Sequence, residues 1–130
     1  MYLYYKIPGR AVSKKNHQQI AFNNGRPFVT QSKPYKKYEK MAKDYLKPLD
    51  EPINEPVNVK VTYWIPKNKD GSVPKTKLDL VNLLSCTDDL LVKYQIVEDD
   101  NCRVIAGHDG SRVIYTIDEP YTEIEIEDLR

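Results

Sequence analysis

Residues 77–101 read KLDLVNLLSCTDDLLVKYQIVEDDN, an apolar, helix-sized segment with acidic residues at both ends. Its leucines recur at intervals of three and four residues, which places them on one side of a helix with about 3.6 residues per turn. The opposite side is polar and carries, at the same period, Asp79, Asn82, Ser85 or Cys86, Asp89 and Lys93. If the chain after the helix folds back over it, Asp79 and Asp100 can share one divalent cation.

Each of these carboxylates also has a purely structural explanation. Asp79 precedes the helix and can cap it, because a carboxylate accepts the first unpaired N–H groups and favours the positive end of the helix dipole. Asp99 and Asp100, followed by Asn101, are typical of a turn between a helix and a strand. The residues alone favour the cap for Asp79 and leave the cation site open.

Three short motifs follow one another in this region: Asp79-Leu80-Val81-Asn82-Leu83, Asp89-Leu90-Leu91 and Glu98-Asp99-Asp100-Asn101. Together they resemble the RusA family of Holliday-junction resolvases, whose core reads Asp-x-Asp-Asn-Leu, then Asp-x-Leu, then an Asp-Asp pair. Ile7-Pro8-Gly9 and the strand end Tyr63-Trp64-Ile65-Pro66 with its basic loop are also similar to the family. The resemblance covers most of the chain and indicates a phage or prophage type.

The resemblance implies a metal-dependent crossover junction endodeoxyribonuclease that acts on Holliday junctions or related branched DNA in recombination and repair. It implies that Asp79 and Asp100 hold Mg²⁺, for which Mn²⁺ can substitute, and that Asn82 orients a carboxylate. A homodimer is implied as well, because a resolvase cuts two strands of a four-way junction symmetrically.

The chain departs from the family motif at two positions. Val81 stands where the family has its second Asp, and Ser85 stands where it has a Lys. Only two of the three family ligands are therefore carried over, and the residues that can complete the catalytic site are Asp89, as a further metal ligand, Asp99 or Asp109. His17 and His108 have no metal-site spacing and are interpreted as ordinary surface or loop histidines.

Two alternatives to an active nuclease stay open. One is a catalytically impaired protein of the RusA fold that binds branched DNA without cleaving it. The other is a small interaction protein whose acidic half contacts a basic partner, because a fold does not fix a function.

The net charge of +1 conceals a strong asymmetry along the chain. Residues 1–77 hold 16 Lys and Arg against 6 Asp and Glu, whereas residues 78–130 hold 4 against 13. The front half can therefore meet phosphates while the back half holds a cation. The lysines expected to contact DNA are Lys14, Lys15, Lys67, Lys69, Lys75 and Lys77, although a solvated loop explains any one of them equally well.

Length and composition indicate a single domain over residues 1–130, with 40% apolar and 30% charged residues. No apolar run reaches membrane-spanning length and the start does not read as a signal peptide, so a cytoplasmic location is expected. Cys86, in the helix, and Cys102, in the next strand, are expected to be buried thiols.

Alternating apolar residues predict strands over residues 2–7, 27–30, 57–65, 102–106, 112–116 and 122–127, the fourth and fifth flanking a turn at 108–111. Residues 10–24 are expected to form a basic loop or ragged hairpin. A first helix is predicted from a cap at Ser32 to about Leu46. The expected fold class is α+β, a mixed and mostly antiparallel sheet with two helices packed on one face.

Overall fold

A computed structural model describes residues 1–14, 18–31 and 33–129, with side chains throughout except at 18–21 and 28–31. The predictions for three residues fall outside the described ranges: Lys15, His17 and Ser32. The elements are β1 Tyr2–Pro8, β2 Gln18–Asn23, β3 Arg26–Gln31, α1 Lys33–Ala42, β4 Val57–Pro66, α2 Leu80–Lys93, β5 Ile105–Gly107, β6 Arg112–Thr116 and β7 Tyr121–Asp128.

The main sheet has β7 at its centre, between β1 and β4. Both of these pairings are antiparallel, with Tyr2 opposite Glu127 in one and Val57 opposite Asp128 in the other. β5 and β6 pair with the far side of β4, and both run parallel to it. The predicted α+β class with a mixed, mostly antiparallel sheet is confirmed.

The alternation in β4 decides which face of the sheet is covered. Val57, Val59, Val61, Tyr63 and Ile65 are all buried and belong to one core with the leucines of α2 and with Tyr38 and Ala42 of α1. Burial of each such side chain contributes about 1.5–3 kcal/mol. The two helices are tied together on that face, because Lys93 Nζ lies 2.6 Å from Glu39 Oε1 and the Tyr94 hydroxyl donates to the Glu39 carbonyl at 2.7 Å.

The region after α2 differs from its prediction. A strand was expected over residues 102–106, but the N–H groups of Val104 and Ile105 both donate to the Asn101 carbonyl and close a helical turn. Cys102 therefore lies in a turn and is exposed, so its prediction as a buried strand residue is wrong. The predicted turn at residues 108–111 is confirmed, because the Ser111 N–H donates to the His108 carbonyl at 3.0 Å. It does not join a hairpin, since β5 and β6 run in the same direction beside β4.

α1 ends at Ala42, four residues before the predicted boundary. Bonds from Asp44 N–H to the Met41 carbonyl and from Tyr45 N–H to the Ala42 carbonyl tighten the last turn. In a helix continued to Leu46, the period would place Tyr45 on the same side as Tyr38 and Ala42, but with the helix ending at Ala42 it is 45% exposed. None of the helices in the described ranges is long and apolar enough to cross a membrane.

Candidate functional site

Asp79 is the N-cap of α2. Its backbone is extended, with φ −112° and ψ 116°, and its side chain accepts the backbone N–H of Asn82 at 3.2 Å. The structural explanation of Asp79 is thus confirmed, and the cap does not consume the whole carboxylate because only Oδ1 takes part in this bond. Its possible role as a metal ligand stays a prediction.

Four carboxylates of α2 and of the turn that follows it influence one another electrostatically, and we call them the acidic cluster: Asp88, Asp89, Asp99 and Asp100. Partial burial raises the pKa of Asp100, and a side-chain hydrogen bond shared with Asp99 and the charges of Asp89 and Asp99 raise it further. Burial also raises the pKa of Asp88, with smaller contributions from Asp100 and Asp89, and only His108 opposes the rise. These carboxylates therefore repel one another and favour a bound cation or proton.

Asp99 and Asp100 are adjacent but differently placed. Asp99 organises the turn, since its two oxygens accept the Asp100 backbone N–H at 2.8 Å and the Asn101 side-chain amide at 3.0 Å. The turn explanation is therefore confirmed for Asp99. Asp100 presents an exposed side chain, which makes it the more available of the two.

Lys14 reaches the acidic cluster from the loop after β1. Its Nζ lies 3.0 Å from Asp89 Oδ2, and its backbone N–H donates to the Cys86 thiol at 3.1 Å. Cys86 is buried as predicted. One of the lysines predicted to hold DNA is thus placed directly beside a predicted metal ligand.

His108 and Asp88 form a pair that the sequence did not reveal. Nε2 of His108 lies 2.8 Å from Asp88 Oδ2, and Nδ1 lies 2.8 Å from the Val59 carbonyl oxygen. His108 lies in the loop between β5 and β6, in agreement with its interpretation as a loop histidine, but its side chain is only 25% exposed and is paired. The other oxygen of Asp88, Oδ1, is buried and has no hydrogen-bond partner among the described residues.

This pair makes stability depend on pH. The hydrogen bond to Asp88 raises the pKa of His108 above its ordinary value of 6.5, although burial opposes the rise. The protonated histidine therefore stabilises the fold fully below about pH 6.5, and this contribution is lost as the pH rises through the folded-state pKa. In metal-free buffer we expect the melting temperature to fall over that window, and to fall less in His108→Ala. Parallel curves for the two proteins would show that the pair is not charged.

Asp109 does not join the acidic cluster. Its N–H is held by Asn58 Oδ1 at 2.8 Å, and it lines a cleft together with Asn58, Lys60 and Glu125. More generally, in the part of the chain that the structure describes, no three His, Cys, Asp or Glu side chains are grouped so that they could hold a metal ion.

The basic loop between β4 and α2 is held by internal hydrogen bonds, and its lysine side chains are accessible to solvent. Asp70 accepts the Ser72 N–H at 2.9 Å, and Gly71 supplies the left-handed turn at φ 86°. Lys69, Lys75 and Lys77 are exposed and Lys67 is half-buried. None of these four lysines makes an ion pair with a described residue.

The family model for Endodeoxyribonuclease RusA matches residues 8–127 of the 130. The chain belongs to the RusA family. No curated protein of established function matches it. Membership implies an endodeoxyribonuclease, and at the level of the family it implies resolution of Holliday junctions and action on branched DNA.

The two RusA motif positions that this chain has changed lie on an accessible side of α2. Val81 is 71% exposed and Ser85 is also exposed. Val81, Ser85 and Asp89 follow one another at intervals of four residues, so they form one stripe along the helix. The two departures therefore lie on the exposed stripe that also carries Asp89 and leave the core packing of α2 intact.

Val81→Asp is expected to restore a RusA carboxylate at little cost in stability. The side chain is exposed, and an acidic residue in the first turn of a helix is favoured by about 0.3–1 kcal/mol. We expect an unchanged or slightly higher melting temperature, tighter Mn²⁺ binding by calorimetry and faster cleavage of a four-way junction. Val81→Asn is the matched control, because it adds polarity without charge. Equal metal binding by the two variants would exclude position 81 from the site.

Proposed function

We propose that the chain is a Mg²⁺-dependent endodeoxyribonuclease that cuts Holliday junctions or related branched DNA. The observation that carries the proposal is that a chain of the RusA family has the acidic cluster, in which Lys14 Nζ lies 3.0 Å from Asp89 Oδ2 and the buried Asp88 Oδ1 has no described partner. Burial chiefly raises the pKa of Asp88 and of Asp100, and neighbouring carboxylates raise both further. Carboxylates that repel one another in this way are relieved by a divalent cation, and hard oxygens are the ligands that Mg²⁺ prefers.

We assign Asp89 and Asp100 as ligands of the cation, with Mn²⁺ as a substitute for Mg²⁺. When bound, the cation supplies a water of lowered pKa and stabilises the leaving oxygen of the cleaved strand. Asp99 shapes the turn that presents Asp100, and its own catalytic role stays a prediction. His108 holds Asp88 beside Asp89, and Lys14 neutralises Asp89 until a cation takes its place.

Asp79 cannot share a cation with Asp89 within one protomer. Asp89 follows it by ten residues of helix, which is about 15 Å along the axis, whereas each ligand oxygen lies about 2.1 Å from Mg²⁺. We therefore include a two-fold homodimer in the proposal, in which Asp79 and position 81 of one protomer complete the acidic cluster of its partner. Such a dimer also supplies the two equivalent sites that symmetric cutting needs.

The basic residues have two roles in this proposal. Lys67, Lys69, Lys75 and Lys77 hold the backbone of the DNA, which agrees with their accessibility and with the positive charge of residues 1–77. Lys14 takes over the position of the motif lysine that is Ser85 here, because its ammonium group lies one helical turn further along the same stripe. Substrate choice then follows junction shape rather than base sequence.

A second candidate function is binding of branched DNA without cleavage. The specific observation in its favour is the loss of two motif residues at Val81 and Ser85, together with the lack of a preformed three-ligand group among the described residues. In this case the lysines act as proposed and the acidic cluster is a remnant.

Two assays on one synthetic four-way junction separate these functions. In Ca²⁺, a gel shift is expected to show preference for the junction over a linear duplex built from the same arms. In Mg²⁺ or Mn²⁺, the bound junction is expected to be nicked. Binding without nicking in either metal supports the second function, and failure to prefer the junction contradicts both.

A further inference from the structure

The hairpin formed by β2 and β3 stands apart from the main sheet as its own two-stranded sheet. Asn24 and Gly25 connect the strands with φ values of 52° and 77°, the left-handed pair that a tight two-residue turn needs. Just before this turn is Phe22, which is 71% exposed, and its cross-strand partner Pro27 is exposed as well. The tip of this arm thus carries a large aromatic ring that contributes nothing to the core.

The arm lies in the most basic part of the sequence. The first acidic residue of the whole chain is Glu39, and residues 1–38 contain eight Lys and Arg. Arg26, opposite Asn23 at the tip, is one of them and is exposed. This positive charge attracts a polyanion such as DNA and repels a protein surface that is itself basic.

The arm is joined along the chain to a residue that contacts the acidic cluster. Lys14 precedes β2 by four residues and is fixed to α2 by its bonds to Cys86 and Asp89. The four residues from Lys14 to Gln18 span at most about 14 Å and a strand of six residues about 20 Å, so chain length keeps the tip within about 35 Å, roughly one turn of DNA, of Asp89.

We propose that Phe22 is a wedge that stacks on the bases at the branch point of the DNA, with Arg26 on the adjoining phosphate. The inference rests on the proposed function and deepens it. An aromatic ring stacks on any base, and apolar side chains that enter base steps do so most readily where stacking is already interrupted. A branch point is such a place and a continuous duplex is not, so the wedge favours branched DNA without reading sequence.

The first test compares affinities in Ca²⁺, where no strand is cut. Phe22→Ala is expected to bind the four-way junction about 10- to 100-fold more weakly, and Phe22→Tyr to bind it like the unchanged protein. Affinity for linear duplex should change little. Ile117→Ala is the matched control, because Ile117 is 79% exposed in the turn between β6 and β7. Arg26→Ala should instead lower the slope of log affinity against log salt by about one unit.

The second test places 2-aminopurine at the branch point, where its fluorescence reports base stacking. Binding of the unchanged protein and of Phe22→Tyr should change the signal, and binding of saturating Phe22→Ala should not. If the unchanged protein prefers the junction while Phe22→Ala binds equally well and changes the signal equally, the wedge is excluded and the proposed function stands. If the unchanged protein has no preference for branched DNA, both proposals are overturned.

Discussion

Asp100→Asn is expected to lower the rate of four-way junction cleavage by at least about 100-fold while changing the affinity in Ca²⁺ by less than about two-fold. The substitution removes a charged metal ligand and keeps the size of an exposed side chain, so neither the fold nor a phosphate contact is lost. Single-turnover cleavage and a gel shift on the same junction measure the two quantities. Asp109→Asn is the matched control, since Asp109 lies outside the acidic cluster.

Asp79→Asn separates the cap from the metal site. Asn is as good an N-cap as Asp, so the variant should keep its melting temperature. Because the proposal makes Asp79 a ligand in the partner's site, we expect the variant to lose cleavage. Normal cleavage would leave Asp79 as a cap alone.

The proposed dimer adds a sharper consequence for the same two variants. Mixed dimers of Asp79→Asn and Asp100→Asn contain one site with both changes and one site with neither, because each site draws Asp79 and Asp100 from different protomers. Co-refolded mixtures should therefore recover nicking of one strand, although each variant alone is inactive. An inactive mixture would contradict a site shared between protomers.

The Lys67→Glu, Lys69→Glu double variant should show the opposite pattern, with binding lost rather than chemistry. Reversal of two accessible charges is expected to weaken binding of branched and linear DNA alike, by about 10- to 1,000-fold at low salt. The slope of log affinity against log salt should flatten by about 0.9 for each phosphate contact removed.

The control for this variant is Lys43→Glu, Lys47→Glu, which changes the net charge equally at the end of α1, where both lysines are exposed. If the two double variants weaken binding equally, the effect is one of overall charge. An unchanged slope in Lys67→Glu, Lys69→Glu would remove this loop from the DNA surface.

Local pattern was sufficient for most of the fold. The period-two burial of β4 and β7 and the leucine spacing of α2 identified these elements close to their observed ends, because each buries one continuous face. The cap at Asp79 and the turn at Asp99 were also predictable, since both are made between residues at most three apart.

Contacts between distant residues were not predictable in this way. His108 and Asp88 are 20 residues apart, and Lys14 and Asp89 are 75 apart, so no spacing rule joins them. The parallel direction of β5 and β6 beside β4 was not predictable either, because it depends on pairing with a distant strand. The residues His108, Asp109 and Gly110 have the composition of a turn, and such a composition does not determine the direction of the strands on either side. The family motif pointed to Asp89 and Asp100, and Asp88 was missed because no motif contains it.

The most direct test of the proposed function is cleavage of a four-way junction with all four strands labelled, under single-turnover conditions in Mg²⁺. We expect paired nicks at symmetry-related positions, converting the junction into two nicked duplexes, with no product from Asp100→Asn and none in Ca²⁺. The contradicting result is that the unchanged protein binds the junction in Ca²⁺ but, like the Asp100→Asn variant, leaves it intact in both Mg²⁺ and Mn²⁺. This result would contradict the proposed nuclease activity and would support a protein that binds branched DNA without cutting it.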